Sequence, residues 1–236
     1  MQDFFFVLET IGVIAFAIAG ALAAIDKETD LFGVLFLSLI TSFGGGMLRD
    51  VLIDRTPSFF TSYFHIICGA ASALSVFVFA AVFKRKYIEN EKLVDGINNY
   101  FDAVGLGIFA VTGAKICIDS GFGSALVAIS LGMITSVGGG IIRDLCLREI
   151  PFVFTKRIYA VASIVGASAY YLLFKFASVP EYLSLLIGVI SVVGIRTLAT
   201  VFHLDMPKAI IFKKENPKES ESSSLEEERQ LKKAEK

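Results

Sequence analysis

The chain contains no tryptophan, only two histidines, His65 and His203, three cysteines and five prolines among its 236 residues. Two histidines are too few for a histidine metal cluster. Cys68, Cys117 and Cys146 are odd in number, lack CxxC spacing and lie in or beside apolar stretches, which argues against a disulfide framework and a zinc site. The sequence has no HExxH, GxSxG or GK[ST] motif, so no enzyme activity, metal or cofactor is expected. A formal net charge of −1 leaves no basic excess for neutralising phosphates, and nucleic acid is excluded as a partner.

Charge is also scarce outside one segment. Of the 45 Asp, Glu, Lys and Arg residues, 16 fall within 203–236, leaving 29 for the preceding 202 positions. What fills those positions is apolar: 55% of the chain is hydrophobic. This is a membrane protein by composition. Seven stretches can cross a bilayer: about 4–25, 31–53, 64–83, 100–118, 122–147, 158–176 and 182–202. The first is read as a retained helix, because no basic residue precedes it and Glu9 interrupts its apolar core. Lys27, Lys84, Arg85, Lys86, Lys92, Arg148, Lys156 and Arg157 fall on one side of the spans, against Arg55 and Lys175 on the other. The positive-inside rule therefore places the N-terminus outside and the C-terminus in the cytoplasm. Residues 206–236, with Ser222-Ser223-Ser224 and Glu226-Glu227-Glu228, read as a charged, disordered cytoplasmic tail.

Set against each other, residues 41–57 and 135–151 match at eight of seventeen positions with a constant offset of 94: Thr41/Thr135, Ser42/Ser136, Gly44/Gly138, Gly45/Gly139, Gly46/Gly140, Arg49/Arg143, Asp50/Asp144 and Pro57/Pro151. At an offset of 93 the match continues upstream through Gly12/Gly105, Phe16/Phe109, Ala17/Ala110 and Gly20/Gly113, and it sets Glu9 on Asp102. The expected fold is all-α: two three-helix repeats, about 4–83 and 97–176, and a seventh helix at about 182–202, together a membrane domain over 1–205. Each repeat has an odd number of spans, so the second enters the membrane inverted.

Three helical glycines cost about 1 kcal/mol each relative to alanine. One use that offsets this cost is a helix break at Gly44–Gly46 and Gly138–Gly140 that turns carbonyls, with the hydroxyls of Thr41, Ser42, Thr135 and Ser136, toward a cation pathway. The other is close helix packing. Arg49, Asp50, Arg143 and Asp144 lie one turn further on, where buried charge needs a partner or a wet cavity. Neighbouring helical residues point about 100° apart, so the pairs expected are across helices, Arg49 with Glu9 and Arg143 with Asp102. Arg196 has no counterpart in the repeat and either ends its helix at the surface or serves the pathway, and Lys115 with Asp119 reads as an exposed interfacial pair.

The doubled GGGxxRD motif followed by proline, Gly44 to Pro57 and Gly138 to Pro151, resembles prokaryotic trimeric intracellular cation (TRIC) channels, sequences also catalogued with a putative glycine-transporter domain. The resemblance covers about residues 4–205. It implies a homotrimer in the cell (inner) membrane, surrounded by lipid, with a pore in each protomer lined by kinked second and fifth helices and conducting potassium or other monovalent cations. The alternative is a secondary transporter for a small amino acid such as glycine, bound at helix amino ends exposed by the breaks.

Overall fold

The computed structural model describes residues 2–84, 89–155 and 158–202. Arg85, Lys86, Lys156 and Arg157 of the orientation count, and the tail at 206–236, lie outside the described residues. Among the described residues seven helices carry the fold: α1 (Gln2–Asp26), α2 (Leu31–Leu52), α3 (Tyr63–Val82), α4 (Glu91–Asp119), α5 (Ala125–Cys146), α6 (Tyr159–Lys175) and α7 (Glu181–Val201), with single turns at Ser58–Phe60 and Phe152–Thr155. Among the described residues there is no strand. Six of these helices are long and apolar enough to cross a membrane. The seventh, α6, has 17 residues, the lower end of the spanning range. Helix α4 begins at Glu91, well before its expected apolar start near 100. A polar turn can continue a helix beyond the hydrocarbon boundary, and hydropathy reports only the boundary.

The repeat is equally visible in local geometry. Helices α2 and α5 occupy equivalent positions at the offset of 94, and each is closed by a residue in the left-handed region, Asp54 (φ 53°) and Arg148 (φ 58°). The following amides, Arg55 N and Glu149 N, reach back to the carbonyls of Asp50 and Asp144 at 2.8 and 2.9 Å. This six-to-one closure satisfies carbonyls that a helix end leaves open. Helix α2 also has an N-cap, Asp30, whose carboxylate accepts from Gly33 N at 2.8 Å.

At the centre, α1, α2, α4 and α5 pack on one another, with α3 against α1 and α2, α6 against α4 and α5, and α7 against α4 and α6. The glycine triplets explain how α2 and α5 come so close. A Cβ on Gly45 would overlap the Thr135 carbonyl, and one on Gly139 the Thr41 carbonyl. These contacts exchange under the repeat, and their numbering runs in opposite senses, so α2 and α5 are antiparallel about a pseudo-twofold axis. The same axis relates Gly12 against Phe109 to Gly105 against Phe16 between α1 and α4, and the two phenylalanine rings stack at 5.2 Å.

The expected helix breaks are absent. Hydrogen-bonded helix runs through Gly44–Gly46 and Gly138–Gly140. The removed side chains allow backbone to meet backbone, and those contacts offset the low helix propensity. We expect Gly45→Ala and Gly139→Ala each to destabilise the protein by about 1–3 kcal/mol through overpacking. Gly46→Ala serves as the control, because the nearest atom to its added Cβ is Arg49 Nη2 at 3.6 Å. Thermal unfolding midpoints in detergent check the ranking.

Candidate functional site

Each repeat ends its central helix with the same device. Arg49 Nε donates to Asp50 Oδ1 at 2.8 Å while the other carboxylate oxygen, Oδ2, accepts from Ser58 N at 2.9 Å. In the second repeat Arg143 Nε donates to Asp144 Oδ1 at 2.8 Å, and Asp144 Oδ2 accepts from Phe152 N at 2.8 Å. The aspartate thus neutralises the arginine beside it and pins the turn after the following proline. All four residues are buried.

The pairing expected across helices is corrected for the first repeat: Arg49 pairs with Asp50, and no ion pair joins it to Glu9 among the described residues. Adjacent Cα–Cβ bonds diverge, but arginine's long stem lets its guanidinium curl back onto residue i+1. In the second repeat both partners are present, with Asp144 at 2.8 Å from Arg143 Nη2 and Asp102 at 3.8 Å from Arg143 Nη1.

The second repeat carries more around its pair. Arg196 of α7, only 2% exposed, places Nη2 3.7 Å from Asp102 Oδ2. It is therefore buried in the bundle and does not end its helix at the surface. Tyr159 donates its hydroxyl to Asp102 Oδ1 at 3.2 Å, and its ring lies 4.7 Å from the Arg196 guanidinium. Two arginines and two aspartates balance here, as the cost of burying charge demands.

The first repeat holds the same four signs, Glu9, Arg49, Asp50 and Arg55, but leaves space beside them. A cavity of about 290 Å³ is lined by Glu9, Ser42, Gly46, Arg49, Arg55 and His65, among others. An adjoining one of about 500 Å³ shares Glu9, Arg49 and Arg55 and reaches Lys115 and Asp119. At the opposite end of the pseudo-dyad a cavity of about 400 Å³ reaches Asp144 and is bordered by Asp26, Lys27, Glu28, Asp95 and Glu149. A packed layer containing Phe16, Leu106, Phe109, Val137 and Tyr159 adjoins the cavity at Glu9, whose lining it shares at Phe109.

The two mouths differ in charge. Five carboxylates and one lysine border the mouth at Asp144, whereas acids and bases balance at the other. Lys27 straps the acidic mouth through Glu149 at 2.6 Å. That hydrogen bond holds the Lys27 ammonium above its ordinary range. The strap is therefore charged throughout physiological pH and is lost only as pH rises through the raised value. Lys115 pairs with Asp119 at 2.7 Å as expected, but also with Glu181 of α7 at 2.6 Å, and its side chain is only 12% exposed.

Of the four hydroxyls singled out in the sequence, Ser42 borders the cavity at Arg49. Thr41 and Thr135 donate to Leu37 and Leu131 carbonyls at 2.6 Å within their own helices. Ser42 donates to Val13 O on α1 and to Ser38 O, each at 3.0 Å. Ser136 donates to Met133 O at 2.9 Å and touches Ser163 of α6. Tyr159 and His65 were missed, although they correspond to each other at the offset of 94. A comparison built on identities stops at Pro57/Pro151 and passes over a position where the two halves differ.

Fold and site together define a polytopic membrane protein of two inverted three-helix repeats and a seventh helix, with polar cavities entering from both ends. A family model described as glycine transporter matches residues 6–81 and again 99–175, one match to each repeat. The chain belongs to that family. It is 41% identical over 172 residues to a UPF0126 membrane protein of Deinococcus radiodurans, covering 70% of this chain and 74% of that one. It is 33% identical over 201 residues to the UPF0126 inner membrane protein YadS of Escherichia coli, covering 85% and 93%. Among solved structures, the TRIC orthologue of Rhodobacter sphaeroides is 33% identical with TM-score 0.75, covering 85% of this chain and 98% of that chain. A prokaryotic TRIC channel in 0.5 M KCl is 29% identical with TM-score 0.78, covering 87% and 100%. These relatives are described as membrane proteins and as TRIC channels, and the family resemblance read from the doubled motif holds.

The difference between the two charge clusters is testable. Arg143→Met removes a partner from Asp102 and Asp144, and Asp102 lies among the buried Arg196 and Tyr159, so we expect a loss of about 3–5 kcal/mol. Arg49→Met opens its site to the adjoining cavity, which hydrates Asp50 and Glu9, and the loss should be nearer 1–3 kcal/mol. Thermal midpoints of the purified proteins check the order; equal losses would contradict this account of the asymmetry.

Proposed function

We propose that the chain is a passive cation channel of the cell membrane, assembled as a homotrimer with one pathway in each protomer. Monovalent cations, potassium among them, pass beside α2 and α5 between the cavity at Arg49 and the cavity at Asp144. The N-terminus lies outside and the C-terminus in the cytoplasm, so the acidic mouth faces the cytoplasm. One observation carries the reading: polar cavities enter from opposite ends of the same pseudo-dyad, each ending on a buried Arg–Asp pair beside the α2–α5 crossing. Solved relatives at about a third identity, described as TRIC cation channels, support the same activity.

The residues divide the work. Gly44, Gly45, Gly138 and Gly139 hold α2 and α5 at backbone contact, and a small change in that crossing shifts the adjoining packed layer. Ser42 offers a hydroxyl oxygen at the outer end, binding weakly enough to release an ion. Arg49 and Arg143, each neutralised by its aspartate, keep the deep ends from trapping cations. The carboxylates of the inner mouth raise local cation concentration, an effect that salt screens. A transporter for glycine needs helix amino ends near the triplets to bind a carboxylate. The unbroken α2 and α5 provide none there.

The decisive experiment is current through a planar bilayer containing the purified protein, under a tenfold potassium chloride gradient. Discrete openings that reverse near the potassium potential are expected, and silence from folded, inserted protein overturns the reading. In the same assay Asp95→Asn combined with Glu149→Gln should lower conductance about two- to threefold in dilute salt and scarcely at all near 1 M, where the Debye length falls to about 3 Å.

A further inference from the structure

The inverted repeats place two different side chains at one equivalent position. His65 near the start of α3 corresponds to Tyr159 at the start of α6. Tyr159 contacts Asp102, the acid on the first helix of its repeat, whereas His65 shares a cavity with Glu9, the corresponding acid, so the two have different surroundings. Tyr159 is 3% exposed, fills the space beside Asp102 and Arg143, and sits within the packed layer. His65 borders the open cavity with Glu9, Arg49, Arg55, Ser58, Thr61 and Ser62.

The hydrogen bonds of His65 suit it to change charge. Thr10 donates its own hydroxyl proton to Phe6 O at 2.8 Å, so toward His65 Nε2, 3.1 Å away, its oxygen accepts. The neutral ring therefore carries its proton on Nε2, and Nδ1 accepts from the Ser62 hydroxyl, with which it is in contact. When Nδ1 gains a proton, the Ser62 hydroxyl rotates and its oxygen accepts. Both ring nitrogens keep partners in either state, and neither state leaves a buried donor unpaired. Protonation costs no local bond, and its effect is the added charge.

The groups facing that charge come from every neighbouring element. Helix α1 contributes Glu9, α2 the neutralised Arg49–Asp50 pair, and the loop after α2 Arg55. The adjoining mouth adds Asp3, Lys115 and Asp119. In the cavity that His65 borders, Glu9 and Arg55 balance beside the neutralised Arg49–Asp50 pair, so one proton on His65 turns that lining positive. The equivalent place at the other end holds a tyrosine, which carries no positive charge at any pH.

We propose that His65 is a proton-binding site that makes cation passage sensitive to pH on the N-terminal face alone. This rests on the channel reading above. Histidine's ordinary pKa of about 6.5 puts the change within the range a bacterial envelope meets. Acid on that face places a positive charge in the mouth and repels entering cations, while acid on the other face leaves the pathway unaltered.

The test varies pH separately on the two sides of a bilayer holding single channels of the full-length protein, with an N-terminal tag marking the face. Moving the N-terminal side from pH 7.5 to 5.5 should reduce potassium conductance about threefold or more, as expected for one charge near the path at intermediate dielectric. The same change on the opposite side should not. In His65→Gln and His65→Tyr the ratio of conductances at the two pH values should approach one, and in Glu9→Gln the ratio should stay above two. A response on the wrong face, or one that persists in both His65 variants, overturns the proposal. A second measurement stands apart from current. With His203→Gln, His65 is the sole histidine, and its imidazole nitrogen resonances in lipid nanodiscs should shift between pH 8 and 5. Failure to titrate there overturns the proton site even where currents are robust. Titration in protein that carries no current upholds the proton site and condemns the channel reading alone.

Discussion

The structure depends on backbone meeting backbone where α2 crosses α5. Two helices normally keep 8–10 Å between axes because side chains fill the interval. Here the triplets at Gly44–Gly46 and Gly138–Gly140 remove those side chains, and the carbonyls of Thr41 and Thr135 occupy the space a Cβ would take. In lipid, where apolar side chains gain nothing by leaving the solvent, such contact is a main source of helix association. Because each triplet supplies what the other needs, the crossing also fixes the pseudo-dyad. Phe16 and Phe109 then meet as equivalent rings, and the Arg–Asp pairs are carried to opposite ends.

From that symmetric frame the two halves diverge through a few substitutions. The first-helix acid is Glu9 in one repeat and Asp102 in the other, and the equivalent position on the third helix holds His65 or Tyr159. Helix α7 has no counterpart and packs mainly on the second repeat, bringing Arg196 to Asp102 and Glu181 to Lys115. Its effect is to complete a balanced set of four charges in the second repeat, where a cavity reaches Asp144, whereas in the first repeat Glu9, Arg49 and Arg55 all line cavities. Symmetry explains why the charges are there, and its violation explains why a cavity touches one set at Asp144 alone and the other at Glu9, Arg49 and Arg55.

Much of this was legible in the residues. Seven apolar runs and an identity-rich offset of 94 determine the helix count, the repeat and its inversion, because hydrophobic length and odd span number leave no other arrangement. The pairing of Arg49 was not legible: helical angles speak of Cβ directions, whereas a guanidinium four bonds further out finds the nearest carboxylate. Nor was the unbroken path through the triplets, since propensity measured on isolated helices omits the neighbour whose backbone rewards a missing side chain. The role of Arg196 depends on which face of α7 meets α4, a tertiary fact with no trace in a single repeat-free helix.

The buried arginines bear on function as well as folding. An arginine–aspartate pair in a bilayer is costly, and hydrophobic residues of similar volume would hold the turns at Ser58 and Phe152 at lower expense. What hydrophobic residues cannot do is end a water-filled cavity with a surface that is polar yet carries no net charge. A lone carboxylate at such a point would bind a cation too tightly to release it, and a lone arginine would repel it; the pair does neither. In the proposed channel, repeating the pair at both ends of the dyad supplies that surface to a path open from either side, and the acidic mouth with Asp95 and Glu149 is then what sets a preference for cations.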